Sequence, residues 1–478
     1  PRFARMPSIR SLPGFRDFYP AELAVRTHIT SAWRETSRRY GFEEYDGPPL
    51  ESLDLYIEKS GEEIVAQLYA FEDKGGRAVA LRPEMTPSLA RMVGARAAGL
   101  RKPIRWFSVP QLFRYERTQR GRLREHFQWN VDIIGEPDIA ADAEALAVAL
   151  DGLALLGLSA NEVVARYNDR RLLDKLLLDA GVSDERLSEA FAAIDKLGRD
   201  PDARIRDRLR DAGLEDSGID RVLRVFATGS GFRVPGGLPT RSDPSASPTS
   251  VGLAALGSGL SAATELEREY GGVPGVREDL ERLACYHEHL ARLGFGEHIA
   301  FDPAIVRGLA YYTGTVFEIF DRQGELRAIC GGGRYDDLLG SVSGAQLPAV
   351  GFGMGDVVIA ELLQQRGLLP AATPHVEYYV AAMNASEALE RRIAARLRAS
   401  GASVIYPLSR ASLKRQFKDA HARGARHTVI LGANELAAGI ALVREMSTGA
   451  ERQVPLTDLA GPDAVAADGP REPRSGTS

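Results

Sequence analysis

The first 160 residues mix helix and strand patterns, strands then give way to helix, and they resume only near residue 295. The residues between, from about Asp169 to Gly294, are mostly helical in pattern and rich in Leu, Arg and Asp. A helical block inserted within a single α+β domain accounts for this order. Inside the block, Gly229 to Gly252 is rich in Gly, Pro and Ser, which predicts a mobile loop.

Before the insertion, Ala21 to Arg39 reads as an amphipathic helix that follows the turn Pro13-Gly14-Phe15-Arg16-Asp17. Arg105 to Leu112 and Phe127 to Ile134 read as strands on either side of a polar, Arg-rich segment, Tyr115 to Arg124. Strand, charged loop and strand predict a hairpin. Asp142 to Leu156 is helical, with Leu146, Leu150 and Leu153 on one stripe. After the insertion, strands are expected over Ile299–Arg307, Gly314–Asp321, Ala328–Cys330 and Ala349–Gly353.

A Pro-containing linker, Leu369 to Pro374, leads to a second α/β unit. There Glu377 to Ala382 and His427 to Leu431 read as strands and Ser386 to Ser400 as a helix. The expected domains are 1–168 and 295–370 for the two parts of the first, 169–294 for the insertion, and 374–460 for the last unit. Residues 461–478, rich in Gly, Pro and Asp, read as a disordered tail.

With 478 residues the chain exceeds one ordinary core. No apolar run approaches the roughly 20 residues that span a bilayer, so no membrane partner is expected. Pro1 to Leu12 is basic but lacks an apolar h-region, so it does not read as a secretory signal. The two cysteines, Cys285 and Cys330, exclude a disulfide framework and suit a reducing compartment; a cytoplasmic protein is expected. Cys285, His287 and His289 lie close in sequence, but no second cluster completes four ligands, and no metal site is expected. A net charge of −5 hides two basic islands, Arg101 to His126 and Ser409 to His427. Such islands either dock phosphates or form solvated faces.

The first island contains Phe113-Arg114-Tyr115-Glu116-Arg117-Thr118-Gln119-Arg120-Gly121-Arg122 and ends in Arg124-Glu125-His126-Phe127-Gln128. Planar guanidinium forks at a strand end and across a loop suit successive phosphates of a nucleotide. No Walker loop or dinucleotide fingerprint is present, so side chains on a sheet would hold those phosphates. Leu81-Arg82-Pro83-Glu84-Met85-Thr86 sets a carboxylate and a hydroxyl two residues apart, a pair suited to an α-ammonium group. Arg307-Gly308-Leu309-Ala310-Tyr311-Tyr312 puts an arginine and two tyrosines before a strand. Gly331-Gly332-Gly333-Arg334-Tyr335-Asp336 offers backbone that a ligand can approach closely, although three glycines also suit a plain turn.

Together these segments resemble the class II aminoacyl-tRNA synthetases, and specifically the histidyl-tRNA synthetase family, from Gly14 to about Leu459. Phe113 to Gln128 is similar to the second class motif and Pro13 to Pro48 to the first, which builds a dimer interface. Arg307 to Tyr312 and Ile329 to Asp336 resemble the two stretches peculiar to the histidine enzymes. The resemblance implies an antiparallel sheet core flanked by helices, with a C-terminal α/β anticodon-binding domain that includes the basic helix Leu413 to Ala420. It implies L-histidine, ATP with Mg²⁺, and tRNA(His) as partners, and a homodimer. Residue by residue, it places Arg114 on the ATP α-phosphate, Glu116 near the adenine and Arg122 on the outer phosphates. Glu84, Thr86 and Gln128 would hold the substrate ammonium. Asp132 and Tyr312 would bind the imidazole, with Tyr311 lining the same pocket. Arg307 would approach the α-phosphate from the other side, so that Arg307 and Arg114 carry the chemistry.

Two positions depart from the pattern. Val358, in Gly351-Phe352-Gly353-Met354-Gly355-Asp356-Val357-Val358-Ile359, stands where the third class motif has an adenine-stacking arginine, and Ala310 stands where most members have Asp. Valine has no cation to set over a base. A divergent subgroup accounts for both changes. The alternative is a catalytically inactive, synthetase-like regulatory or histidine-sensing protein.

Overall fold

The computed structural model describes residues 10–57, 65–197, 200–228, 266–306, 311–324, 326–369, 376–382, 387–409 and 411–460. The chain divides into two compact units, 1–369 and 370–478. Gly229–Gly252, the tail from 461, Arg307 and Ala310 lie outside the described residues.

In the first unit, β1 (Glu43–Glu44), β2 (Leu50–Ser52), β3 (Tyr69–Glu72) and β4 (Ala78–Leu81) come first. Then follow β5 (Ile104–Ser108), β6 (Gln111–Phe113), the ten-residue β7 (Glu125–Ile134) and β8 (Val163–Asp169). Beyond the helical block lie β9 (Ile299–Phe301), β10 (Thr315–Asp321), β11 (Cys330–Arg334) and β12 (Ala349–Gly355). Among the described residues these strands build one large sheet in the order β1-β5-β7-β12-β11-β10-β8-β9, with β6 paired to β7, and a small sheet β2-β4-β3. The pairings are antiparallel except β1 with β5 and β8 with β9. Strands from both sides of the helical block thus alternate in one sheet: β7 pairs β12, and β8 pairs β10.

Three sequence expectations are corrected. The strand expected over Arg105–Leu112 is two, because Val109-Pro110 interrupts it and Pro110 has no N–H for the ladder. The strand expected over Ala328–Cys330 lies instead at Cys330–Arg334, so the glycine run is a strand and not a turn. The strand expected over Ile299–Arg307 ends at Phe301, where the chain turns through an Ile305 N to Asp302 O hydrogen bond of 3.1 Å.

Helix Ile139–Leu155 lies across the sheet, capped by Asp138, whose side chain accepts from Ala140 N. Its Ala and Leu side chains are buried around most of its circumference. It packs on helix Pro20–Arg39, on β7, β11 and β12, and on helix Val276–Arg292 of the inserted block. One apolar cluster therefore runs from the sheet into the helical block, through Trp33, Trp129, Phe352, Leu173, Leu283 and Tyr286. Trp33 and Trp129 stack at 6.0 Å between ring centroids, and Trp129 Nε1 donates to Ser37 Oγ at 2.9 Å.

The second unit has a five-stranded sheet among its described residues: β13 (Val376–Ala382), β14 (Val404–Ile405), β15 (Ala425–Leu431), β16 (Ile440–Glu445) and β17 (Glu451–Pro455). Their order is β14-β13-β15-β16-β17, with β13 parallel to both neighbours. Helices Glu387–Ala399 and Leu413–Ala422 pack on it. The buried Gln416 fastens the second helix by accepting from Ala382 N at 3.0 Å and donating to Ala382 O at 2.9 Å.

Candidate active site

Residues along a strand alternate between faces. In β7, Trp129, Val131 and Ile133 point into the core beneath helix Ile139–Leu155, which turns Gln128, Asn130 and Asp132 to the opposite face. β12 lies beside them with Gly351 opposite Asp132, Gly353 opposite Asn130 and Gly355 opposite Gln128. β11 follows with Gly333 opposite Gly351 and Gly331 opposite Gly353. Glycines at alternate positions strip this face of side chains, so a ligand there lies on backbone. A Cβ at Gly351 would overlap Asp132 Oδ1 and lie 2.5 Å from Val131 O, and one at Gly353 would lie 2.8 Å from Gln128 Cδ.

Two pockets open on this floor. The tyrosine-lined pocket brings together Glu84, Thr86, Gln128, Asp132, Tyr311 and Tyr312, with Asn130 and Tyr335. The arginine-lined pocket holds Arg114, Glu116, Arg122, His126, Glu318 and Arg327, with Val358 at its wall. Arg114, Gln128, Gly331 and Gly353 line both. All the described residues expected at the site therefore stand in one of two adjoining cavities, and Arg114 stands where they meet.

Local bonds hold each part. Arg114 Nε donates to Pro83 O at 2.9 Å, which ties the Arg-rich loop to the segment carrying Glu84 and Thr86. The buried Arg82 fixes that segment through Asp46 at 2.8 Å and Gln111 O at 3.1 Å. Thr86 opens helix Thr86–Gly94, so the helix begins at the pocket. Arg122 pairs with Glu116, and Arg124 lies over the Tyr115 ring at 4.1 Å. Arg16 of the N-terminal turn bridges Glu125 at the start of β7 to Asp356, whose carboxylate also accepts from Phe127 N at 2.9 Å.

Charge in the pockets follows from burial. Asp132 is pushed up to about 7 by desolvation, against a hydrogen bond donated by the Tyr335 hydroxyl. Tyr335 is held well above its ordinary value by its own burial and by Asp132. His126 is pushed down to about 3, first by desolvation and then by Arg114 and Arg16, so it presents a neutral ring.

Sequence reasoning missed Tyr335, Asn130, His126, Glu318 and Arg327 as lining residues. Tyr335 adjoins the glycine run, and Asn130 lies midway between Gln128 and Asp132 at the strand period. Those were the available signals. Glu318 and Arg327 carry none, and only the pairing of β10 with β11 brings them in.

A family model described as histidyl-tRNA synthetase matches residues 14–355. The chain belongs to the histidyl-tRNA synthetase family. A second model, the anticodon binding domain, matches residues 377–461. Curated relatives of this synthetase chain include a histidine–tRNA ligase of Opitutus terrae, 42% identical over 94% of this chain and 97% of the relative. The chloroplastic/mitochondrial histidine–tRNA ligase of Arabidopsis thaliana is 40% identical over 93% of this chain and 85% of its own length. Among solved structures, a histidyl-tRNA synthetase from Nostoc sp. shares the synthetase fold with a TM-score of 0.75, covering 95% of this chain and 98% of that one at 23% identity. The fold expected from the sequence, an α+β class II synthetase core with a C-terminal anticodon-binding domain, is the fold found.

Proposed function

We propose that this chain activates L-histidine with ATP to histidyl-adenylate and transfers the histidyl group to the 3′ end of tRNA(His). The observation that carries this reading is the shared wall of the two pockets at Arg114. An amino acid in one and a nucleotide in the other meet there, and holding them in register lowers the barrier largely by positioning. A carboxylate oxygen of histidine attacks the α-phosphorus, the bond to the bridging oxygen breaks, and pyrophosphate leaves. A ribose hydroxyl of the tRNA end then attacks the histidyl carbonyl carbon and AMP departs.

In this reading Arg114 holds the α-phosphate from one side and Arg307 from the other, meeting charge that builds on phosphorus. Glu84, Thr86 and Gln128 hold the ammonium. Asp132 and Tyr312 serve the two imidazole nitrogens, and Tyr311 walls the pocket. An apolar amino acid would leave those polar groups unpaired, which is a strong basis for rejecting it. Arg122 binds the outer phosphates by exchanging its Glu116 partner for them, which frees the Glu116 carboxylate for the adenine amino group. Mg²⁺ favours one or two carboxylates plus phosphates over an all-protein cage. Glu318, which lines the arginine-lined pocket, fits that need, and the ion would neutralise charge on the polyphosphate.

The domain plan follows: residues 1–168 and 295–370 form the synthetase core, 169–294 a helical insertion, and 374–460 the tRNA-reading unit. That last unit has a cavity lined by Tyr379, Arg398, Tyr406, Leu408, Arg415 and Arg423, with Leu408 94% exposed. Aromatic, apolar and cationic surface of this kind suits unstacked bases. A cytoplasmic homodimer completes the reading; among the described residues no helix is long and apolar enough to cross a membrane.

Exchange of labelled pyrophosphate into ATP is expected with histidine and with no other amino acid. Its absence, with histidine still bound, would sink the synthetase reading and leave the sensor. Gly353→Ala should raise the KM for histidine roughly tenfold, because its Cβ displaces the Gln128 amide, worth about 1.4 kcal/mol as one hydrogen bond. An unchanged KM would remove Gln128 from the substrate.

A further inference from the structure

We propose that Arg327 provides the guanidinium that faces the adenine ring of ATP, at the end of the pocket that Val358 leaves without a cation. The proposal deepens, and rests on, the reading of the arginine-lined pocket as the ATP site.

The direction of the bound nucleotide follows from the sheet. The pockets join over Gly331 and Gly353, so the α-phosphate belongs there. From that seam β12 runs to its end at Gly355, and Val357 and Val358 follow in the first turn of helix Asp356–Gln365. The segment leading into the neighbouring β11 retreats alongside it, from Cys330 through Ile329 and Ala328 to Arg327. Both lead away from the seam, and both end in residues that line the same cavity. The group farthest from the α-phosphate on this side lies among Val357, Val358, Ala328 and Gly121.

That end is apolar, which suits a planar base and not a polyphosphate. The outer phosphates need several donors, and Val357, Val358, Ala328 and Gly121 offer no side-chain donor. Gly121, at the tip of the Arg-rich loop with φ +70°, closes over the apolar end. A Cβ there would lie 3.5 Å from Val358 Cγ2 and 3.8 Å from Arg327 Cδ. Val358 and Arg327 thus flank one point. An arginine side chain reaching in from position 327 brings its guanidinium into the space that one from position 358 would occupy. A guanidinium over a purine face is stabilising through the ring quadrupole and by stacking.

Arg327 is exposed at the pocket mouth, so its replacement should leave folding intact. Pyrophosphate exchange on the full chain is the assay, with adenosine as a competing probe. Arg327→Ala should raise the KM for ATP roughly tenfold, leave the KM for histidine unchanged, and weaken inhibition by adenosine by the same factor. Arg327→Lys keeps the charge and loses the plane, and adenosine inhibition should fall here too. Unchanged adenosine inhibition in either variant overturns the proposal. Weakened pyrophosphate binding with adenosine unaffected also overturns it, by assigning Arg327 to the outer phosphates. Wild-type chain that shows no histidine-dependent exchange defeats the ATP-site reading itself; wild-type exchange with Arg327→Ala indistinguishable from it defeats only the assignment of Arg327.

Discussion

Arg334→Ala is expected to destabilise the first unit by about 3–5 kcal/mol although the residue lines neither pocket. Arg334 is 1% exposed. Its guanidinium grips both carboxylate oxygens of Asp142 on helix Ile139–Leu155, donates to Glu136 O at 3.1 Å and Asp138 O at 3.2 Å, and reaches Asp336 at 3.2 Å. One side chain thus joins the end of the glycine strand β11 to the helix that organises the core. Truncation strands a buried carboxylate, and an unpaired buried charge is costly. Burial already raises the Asp142 pKa above its ordinary value, with Arg334 opposing that rise. A carboxylate whose folded pKa is raised contributes stability that is full below about 4 and is lost as pH climbs through the folded value. Without Arg334 the folded value rises further, so the deficit of the variant should grow as pH rises. The three tryptophans, Trp33, Trp106 and Trp129, all lie in the first unit, so denaturant titration followed by their emission reports that unit alone. A deficit below 1 kcal/mol at pH 8 would show that Arg334 is dispensable.

The same strand shows why parts of the site were legible and others were not. Long periodic helices were readable: Pro20–Arg39 and Ile139–Leu155 declare themselves by spacing. β8 was not, because all seven of its residues are buried and it carries Arg166, Asn168 and Asp169 where an apolar run is expected. Those polar groups find partners only in the fold: Arg166 meets Asp302 at 3.4 Å, and Asn168 donates to Pro303 O at 2.9 Å. β11 was misplaced because glycine signals turns in general, whereas here it clears a floor beside Asp132 and Gln128. Residues inside a recognisable motif, such as Arg114, Glu84 and Tyr312, were found from the sequence. Glu318 and Arg327 needed the register of β10, β11 and β12, which no spacing in the sequence reveals.

Asp132→Asn is expected to weaken histidine binding about a hundredfold near pH 7, the loss of roughly 2.7 kcal/mol that one buried charged hydrogen bond is worth. Asparagine keeps an acceptor for the Tyr335 hydroxyl, so the pocket should persist and the effect should fall on the ligand. The pH dependence is the sharper test. Asp132 titrates at about 7 because it is desolvated, and free imidazole titrates at about 6.5. In the complex, carboxylate and imidazole share one proton between two adjacent buried bases. Below pH 6.5 both partners start protonated, and binding must release a proton. Above pH 7 neither does, and binding must take one up. Affinity in the wild-type chain should therefore peak between these values and fall on both sides. The tyrosines around the pair, Tyr45 and Tyr335, are held well above their ordinary range and do not titrate in this window. In Asp132→Asn only the imidazole remains to titrate, so the acid limb should survive and the alkaline fall should vanish. Calorimetric titration with histidine from pH 5.5 to 8.5 separates the cases. An alkaline fall of the same size in the variant would mean that Asp132 does not share the imidazole proton, and the assignment of that carboxylate to the histidine ring would have to be abandoned.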